Sequence, residues 1–552
     1  MLAFYAVRAE IINMLKLGKG HSTAEVPPSS LRAGVPMIFV RSRLGSRLAV
    51  LALISTLLPT APAALAARGG KLRLTVIDKE SRLLLPCRMH LKNERGKPRR
   101  VPKVPYWHDH FVFPGEIELK LPRGQYSFEI EHGPEYLNVT GYFIINDNAD
   151  DTKTIELSRV VDMAASGWWS ADLHVHRPLR DIKLLMEAEN LHVVPVITWW
   201  NKKNLWAKKT PPEEVLVKFD GNRYYQMMAG EDEREGGALL FFNLRRPLDL
   251  SAPSREYPSP MKFVLEARKR PGVWIDIEKP FWWDVPVWLA SGKVDSIGLA
   301  NNHMCRDTMY DNEAWGKPRD KKRLPGPWGN GQWSQEIYYH VLNCGLRIPP
   351  SAGSASGVLP NPVGYDRMYV HVGKEMDVDR WWQAFRAGRV VVTNGPLLRP
   401  LVEGELPGYV FRGDEGEQLS LEIQLNLATR DPISYLEVIK NGQVEQEVRL
   451  DDWAKTGTLP RLKFSQSGWF LIRTVTDVPN TYRFASTAPY YVEIGPSPRR
   501  ISRRSVQFFL DWVNERIARI KLDDESQRRE VLAFHTAARE FWQGLLAKAN
   551  AE

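Results

Sequence analysis

GWWSADLHVHR, residues 167–177, is a short, mostly apolar run that ends in two histidines separated by one valine. In an extended strand residues i and i+2 face the same way, so His174 and His176 present two imidazoles side by side. Imidazole is the commonest metal-ligating side chain, and such a pair needs at least one more donor to hold an ion. From this run to about Asn394, short buried strands alternate with helical or irregular stretches: VVPVITWW (193–200), YYQMMAGED (224–232), ALLFFNL (238–244), GVWIDIE (272–278), VDSIGLANN (294–302), RIPPSAGS (347–354) and MYVHV (368–372). Eight such runs predict a (β/α) barrel or a doubly wound sheet over residues 165–395.

The flanks read differently. Residues 71–160 hold short alternating runs (KLRLTVID, HFVFPG, IELKL, YSFEIEH, YFIIND) punctuated by Gly, Pro, Asn and Asp, the pattern of a β-sandwich. Residues 397–495 return to that pattern (LSLEIQLNL, YLEVIKNG, WFLIRTVTD, YYVEIG) and predict a second sandwich. In 501–552 the apolar positions Val506, Phe509, Leu510, Val513 and Ile517, then Leu532, Ala538, Phe541 and Leu545, fall at helical spacing around Asp523 and Asp524, which predicts a helical hairpin. The expected fold class is therefore α/β plus all-β, a barrel between two sandwiches with a C-terminal helical hairpin.

Residues 1–67 look like an address. Leu48 to Leu58 (LAVLALISTLL) is apolar but shorter than the roughly 20 residues that span a bilayer. Arg41, Arg43 and Arg47 precede it and APAALAA (61–67) follows, the order of a secretory signal cleaved near Ala66 or Ala67. The expected translation start is Met37, the stretch before it dispensable, and the mature chain periplasmic or extracellular with no stable membrane span.

The 552 residues carry 75 Lys and Arg against 65 Asp and Glu, but 7 and 2 of these lie in residues 1–67, leaving 68 − 63 = +5. So small an excess over so long a chain argues against a nucleic-acid partner. The three cysteines, Cys87, Cys305 and Cys344, form no CxxC pair, so neither a disulfide framework nor a cysteine zinc site is indicated and at most one bridge could form. Nothing matches a phosphate-binding loop, a serine nucleophile elbow or a dinucleotide-binding glycine run.

The 167–177 run resembles the opening motif of the PHP (polymerase and histidinol phosphatase) superfamily, and the surrounding text is similar to its CehA/McbA-type metallohydrolase branch. The resemblance covers residues 165–395, and a leading sandwich fits that branch. It implies a distorted barrel with His, Asp and Glu ligands at strand ends and hydrolysis by water on the metal. His174 and His176 match the first motif, and Glu231 in MAGEDE matches the acidic residue of a later strand. Elsewhere the chain departs. Thr198-Trp199-Trp200-Asn201 stands where the family has T-D-H-N, and indole N–H is a donor that cannot ligate. Gly236-Gly237-Ala238 and Glu278-Lys279-Pro280 stand where histidines are expected, and Gly353-Ser354-Ala355-Ser356-Gly357 replaces G-S-D-x-H.

These departures exclude the family's usual multi-metal cluster and leave a set of two histidines and one carboxylate, His174, His176 and Glu231, enough for one Zn, Mn or Fe ion with open positions. His303, in LANNHM, is a candidate fourth ligand or base, and Asp276 and Glu278, in WIDIEKP, are further acid–base candidates. Their plainer alternatives are a loop histidine bound to backbone and an ion pair with Lys279 or a nearby arginine.

Of 19 tryptophans, 14 lie between Trp168 and Trp382, four times as adjacent pairs. In a strand one member of a pair faces the core and the other faces away, so Trp199 and Trp200, with Asn201, are expected to wall a site for a small molecule or glycan. The alternative is that the indoles fill a large core. The expected function is an exported hydrolase that cleaves an ester, carbamate, amide or phosphoester bond, using hydroxide on a single metal ion that lowers the pKa of water from 15.7 to about 7. The rival is a barrel without activity that binds a carbohydrate or other ligand through an aromatic cleft.

Overall fold

The computed structural model describes residues 69–552 apart from 202, 497 and 498, and Gly69–Glu552 forms one compact unit. The export signal expected near residues 37–67 lies outside the described residues. Among the described residues no helix is long and apolar enough to cross a membrane. The chain is mostly β-strand, in several sheets, with few helices.

The N-terminal part is two facing sheets. In one, strand Gly69–Asp78 lies between Glu116–Pro122, antiparallel, and Asp150–Leu157, parallel. In the other the order is Tyr106–Trp107, His110–Phe113, Cys87–Asn93, Gly124–Glu131, Val139–Ile145. The alternation in the first strand sends Leu72, Leu74 and Val76 inward to meet Met89, Leu91, Phe111 and Ile130. Each such side chain contributes about 1.5–3 kcal/mol on burial.

Seven strands then close a ring: β1 (Trp168–Ala171), β2 (Val193–Trp200), β3 (Arg223–Arg234), β4 (Gly237–Phe242), β5 (Trp274–Ile277), β6 (Ser296–Ala300) and β7 (Pro350–Ala352). β2 runs parallel to β3, with Trp200 opposite Glu231, and β5, β6 and β7 are parallel in turn. The ring closes where the chain beyond β1 meets the chain beyond β7: Leu173 N–H donates to the Ala352 carbonyl at 3.1 Å and His176 N–H to the Ser356 carbonyl at 2.8 Å.

Two features depart from a plain βα alternation. β3 and β4 are joined by Glu235 and Gly236 alone, with Arg234 opposite Gly237, so β4 is antiparallel to both neighbours. Two residues suffice for a hairpin but not for the crossover that a parallel strand requires. The C-terminal β region is also continuous with the ring's sheet, because Arg367–His371 pairs with β1 and with Val390–Thr393, which in turn pairs with Phe484–Thr487. A separate sheet, Leu397–Val402, Leu419–Ala428 and Thr458–Phe464, shares one core with these strands, Leu398, Ile423 and Leu462 clustering with Tyr369, Val391 and Ala485.

Helices Arg503–Arg519 and Glu525–Leu546 form the C-terminal hairpin, their N-termini capped by the side chains of Ser502 and Asp524. Phe509 and Trp542 stack at 4.8 Å, and Trp542 Nε1 donates to the Pro286 carbonyl at 3.0 Å. Beside them Arg516 bridges Asp284, at 2.7 Å, and Glu256, at 2.9 and 2.6 Å, while His535 Nε2 lies 3.2 Å from Asp284. Burial opposes ionisation of Asp284, but Arg516 and His535 outweigh it and hold its carboxyl well below the usual range.

A carboxyl whose folded pKa is depressed stabilises the fold above its unfolded value, 3.8, and loses that contribution as pH falls through the folded one. Asp284→Asn is expected to cost about 3 kcal/mol at neutral pH, the low end for breaking a buried pair because Glu256 still holds Arg516. Urea unfolding across pH should show the gap to the wild type narrowing below pH 3.8.

Candidate metal centre

His174 and His176 lie just past β1, where the chain is held on both flanks: Val175 bridges Val196 on one side and Ser356 on the other. Their spacing turns both imidazoles to one side, with Nε2 atoms 3.0 Å apart. Glu231, buried near the end of β3, completes the group: Oε1 lies 3.5 Å from His174 Nε2 and Oε2 lies 3.2 Å from His176 Nε2. Adjacent ligands of a tetrahedral ion with bonds of 2.0–2.2 Å are about 3.4 Å apart, so these three donors fit one ion. Glu231 is not diverted to Arg234, which pairs with Asp232 at 2.7 Å.

Glu278, one residue past β5, stands behind His174, its Oε1 3.3 Å from Nδ1. Lys279 Nζ reaches both Glu278 oxygens at 2.7 and 2.5 Å, Trp282 Nε1 donates at 2.9 Å and Asn302 Nδ2 at 2.8 Å. A carboxylate on the far nitrogen of a histidine fixes its tautomer and turns the near nitrogen toward the site. The ion pair with Lys279 and the contact with His174 therefore coexist.

The charges follow from this geometry. Burial works against a charged His174, but Glu231 and then Glu278 outweigh it and raise its pKa to about 10. Burial lowers that of His176. Burial also opposes the Glu231 carboxylate, yet the two imidazoles hold it well below its usual range, and Lys279 and His174 bring Glu278 down to about 2.

The remaining candidates are placed as follows. Asp276 is buried inside the ring and accepts from the Ser296 and Ser351 hydroxyls, which occupy one of its oxygens; burial raises it to about 7. His303 faces the backbone carbonyl of Asn312 with Nδ1, at 3.0 Å, and burial and then Lys279 lower it to about 3. Neither belongs to the group of donors that lie within 4.8 Å of one another. Glu233, which the sequence reading missed, lies two residues beyond Glu231 on the same side of β3; burial and the Glu231 charge raise it to about 7. The signal for it was the i, i+2 spacing in GEDE.

Trp199 and Trp200 divide as strand neighbours do. Trp199 is buried against Phe241 and over Gly230, while Trp200 is half-exposed, its ring edge-to-face with His176 at 5.0 Å. A cleft of about 660 Å³ opens on the other side, lined by Trp199, Trp200, Asn201, Lys203, Trp206 and Arg246. Lys203 Nζ sits 5.2 Å from the Trp200 ring centroid. Both ends of the Asn201 amide are spent inside the protein, donating to Asp232 at 2.5 Å and accepting from the Glu233 N–H at 2.6 Å. Of the other tryptophan pairs, 168–169 and 282–283 are wholly buried, so most indoles in the ring serve its core.

No family model matches the chain, and no curated protein does. Among solved structures, the Bacillus anthracis TIE protein aligns at 19% identity and a TM-score of 0.14, over 21% of this chain and 20% of its own. That likeness is too slight to assign a fold.

Gly353 lets the loop after β7 press on the histidines, since a Cβ there would stand 2.4 Å from the Cβ of His174. Gly353→Ala is expected to displace the His174 backbone and cost about 1–3 kcal/mol, as overpacking does. Thermal unfolding measures the cost, and the histidine ring signals in NMR report the displacement.

Proposed function

We propose that the chain is a metal-dependent hydrolase whose seven-strand ring holds one divalent ion at His174, His176 and Glu231, with the Trp200 cleft beside it as the substrate site. The observation that carries this is the convergence of the three donors with His174 backed by Glu278. Two histidines past the first strand and a carboxylate on a later one support a PHP-like ring with a reduced ligand set. A divalent ion held there supplies Lewis acidity and brings the pKa of water from 15.7 to about 7.

The chain's own residues do the rest. Glu278 keeps the His174 proton on Nδ1 and leaves Nε2 for the ion, and Lys279 keeps Glu278 ionised. Glu233 sits beside Glu231, where it can take or give a proton at its carboxylate oxygens. Trp200 separates the donors from the cleft and offers a ring face on which a substrate stacks. Lys203 and Arg246 against Asp249 leave the cleft lining one net positive charge, which suits an ester or phosphoester carrying a negative group.

A second reading, ligand binding without turnover, is favoured by the cleft alone: Trp200, Trp206 and Lys203 together resemble a stacking platform for a sugar or an aromatic ring.

Elemental mass spectrometry on protein purified without chelator tests the metal. The ion should be lost from the ring site in a His174→Ala/His176→Ala double variant, and Glu278→Gln should weaken its affinity about 10–100-fold. Ester and phosphoester hydrolysis with the identified ion, absent in the double variant, would support the enzyme. A ring site that takes up no Zn, Mn or Fe(II), together with glycan binding lost in Trp206→Ala, would overturn it in favour of the second reading.

A further inference from the structure

A second group of donors lies away from the ring, in the N-terminal sandwich. Strands Cys87–Asn93 and His110–Phe113 are antiparallel with His90 directly opposite His110, and their rings stand 5.1 Å apart, both buried. Asp109, at the turn that leads into the second strand, reaches both: Oδ2 lies 3.0 Å from His90 Nδ1 and Oδ1 lies 3.1 Å from His110 Nδ1. The donor atoms of the three residues lie within 4.8 Å of one another, the same closeness as in the ring site. Imidazole and carboxylate ligands of one ion stand about 3.0–3.4 Å apart, depending on whether four or six surround it.

His90 is bonded through one ring nitrogen only among the described residues. Its other nitrogen, Nε2, is buried and has no hydrogen-bond partner among the described residues. Asp109 holds a proton on Nδ1 of both histidines when no ion is bound, and an ion seated among the three donors displaces those protons.

We propose that His90, Asp109 and His110 form a second divalent-metal site, of the kind that takes zinc, which fastens the Tyr106–Trp107 and His110–Phe113 hairpin to the sandwich. The fastening bears on the ring. Trp107 Nε1 donates to the Leu359 carbonyl at 2.7 Å, and the Arg177 guanidinium lies 5.5 Å from the Trp107 ring centroid. Leu359 follows the loop that packs on the histidines, and Arg177 follows His176 itself. An ion in the sandwich thus holds the strip of chain that abuts the rim of the ring site, while the two donor sets share no residue.

The test is zinc stoichiometry of the full chain after loading with Zn(II) and dialysis, repeated with Co(II), whose visible absorption reports its ligands. The wild type should hold about two ions per chain and Asp109→Asn about one, with His110→Gln as a second probe should Asp109→Asn fail to fold. His174→Ala/His176→Ala should also hold about one, and its Co(II) spectrum should vanish on adding Asp109→Asn. Equal zinc in the wild type, Asp109→Asn and His110→Gln would overturn the proposal, whatever the ring holds. Zinc lost through Asp109→Asn but kept in His174→Ala/His176→Ala would support it even were the ring to bind nothing.

Discussion

The buried carboxylate of Asp172 is the point on which the ring turns. It accepts from the His174 N–H at 3.0 Å, the Ser354 N–H at 3.0 Å, the Ser354 hydroxyl at 2.5 Å and the Gly364 N–H at 2.6 Å. Burial drives its pKa up, and these four bonds pull against that. Hydrogen bonds to a charged group are worth about 1.5–3 kcal/mol each, so four of them offset part of the cost of burying this carboxylate, whose pKa stays raised. Three of the donors come from residues 354–364, one from the histidine strand. The same carboxylate therefore closes the ring and sets the backbone from which His174 and His176 project. It also explains the glycine-bearing run 353–357, whose N–H at Ser354 serves an internal anion while Gly353 and Gly357 allow close approach to His174 and His176.

Around the donors, charge is arranged in a chain: Lys279 on Glu278, Glu278 on His174, and Glu231 between His174 and His176. A buried charge is tolerated only when paired, and the two carboxylates here face one fixed cation, Lys279. The missing positive charge comes from a proton on His174 or from a cation among the three donors. The chain is thus built so that one added positive charge completes it. Asp276, whose contacts are two serine hydroxyls, lies inside the ring without joining that chain.

Much of the fold was legible because the relevant signals are local. The two-residue period of 71–78 and 419–427, and the 3.6-residue spacing from Val506 to Ile517, each describe one element, and the elements formed accordingly. The shared direction of His174 and His176 and the split between Trp199 and Trp200 follow from strand geometry in the same way. What escaped depends on partners distant in sequence. The run 238–244 reads as a buried strand of either direction, and only the two-residue turn before it makes it antiparallel. The join through Val390–Thr393 is a choice of partner that alternation does not encode. The trio in the sandwich needs the register that sets His90 opposite His110, for which HDH at 108–110 was half the signal.

The tryptophans at 199 and 200 are set by packing across neighbouring strands. Opposite Trp199 on β3 stands Gly230, where a Cβ would lie 2.1 Å from the indole, so a large residue on one strand is matched by the smallest on the next. Trp199 Nε1 finds the Met228 carbonyl at 3.3 Å, and its ring stacks on Phe241. With Trp199 seated in the core, the strand's alternation delivers Trp200 to the opposite side, opposite Glu231 and against His176. Packing of one indole thus fixes the place of the other, and a position that cannot bind metal becomes the wall between the donors and the cleft.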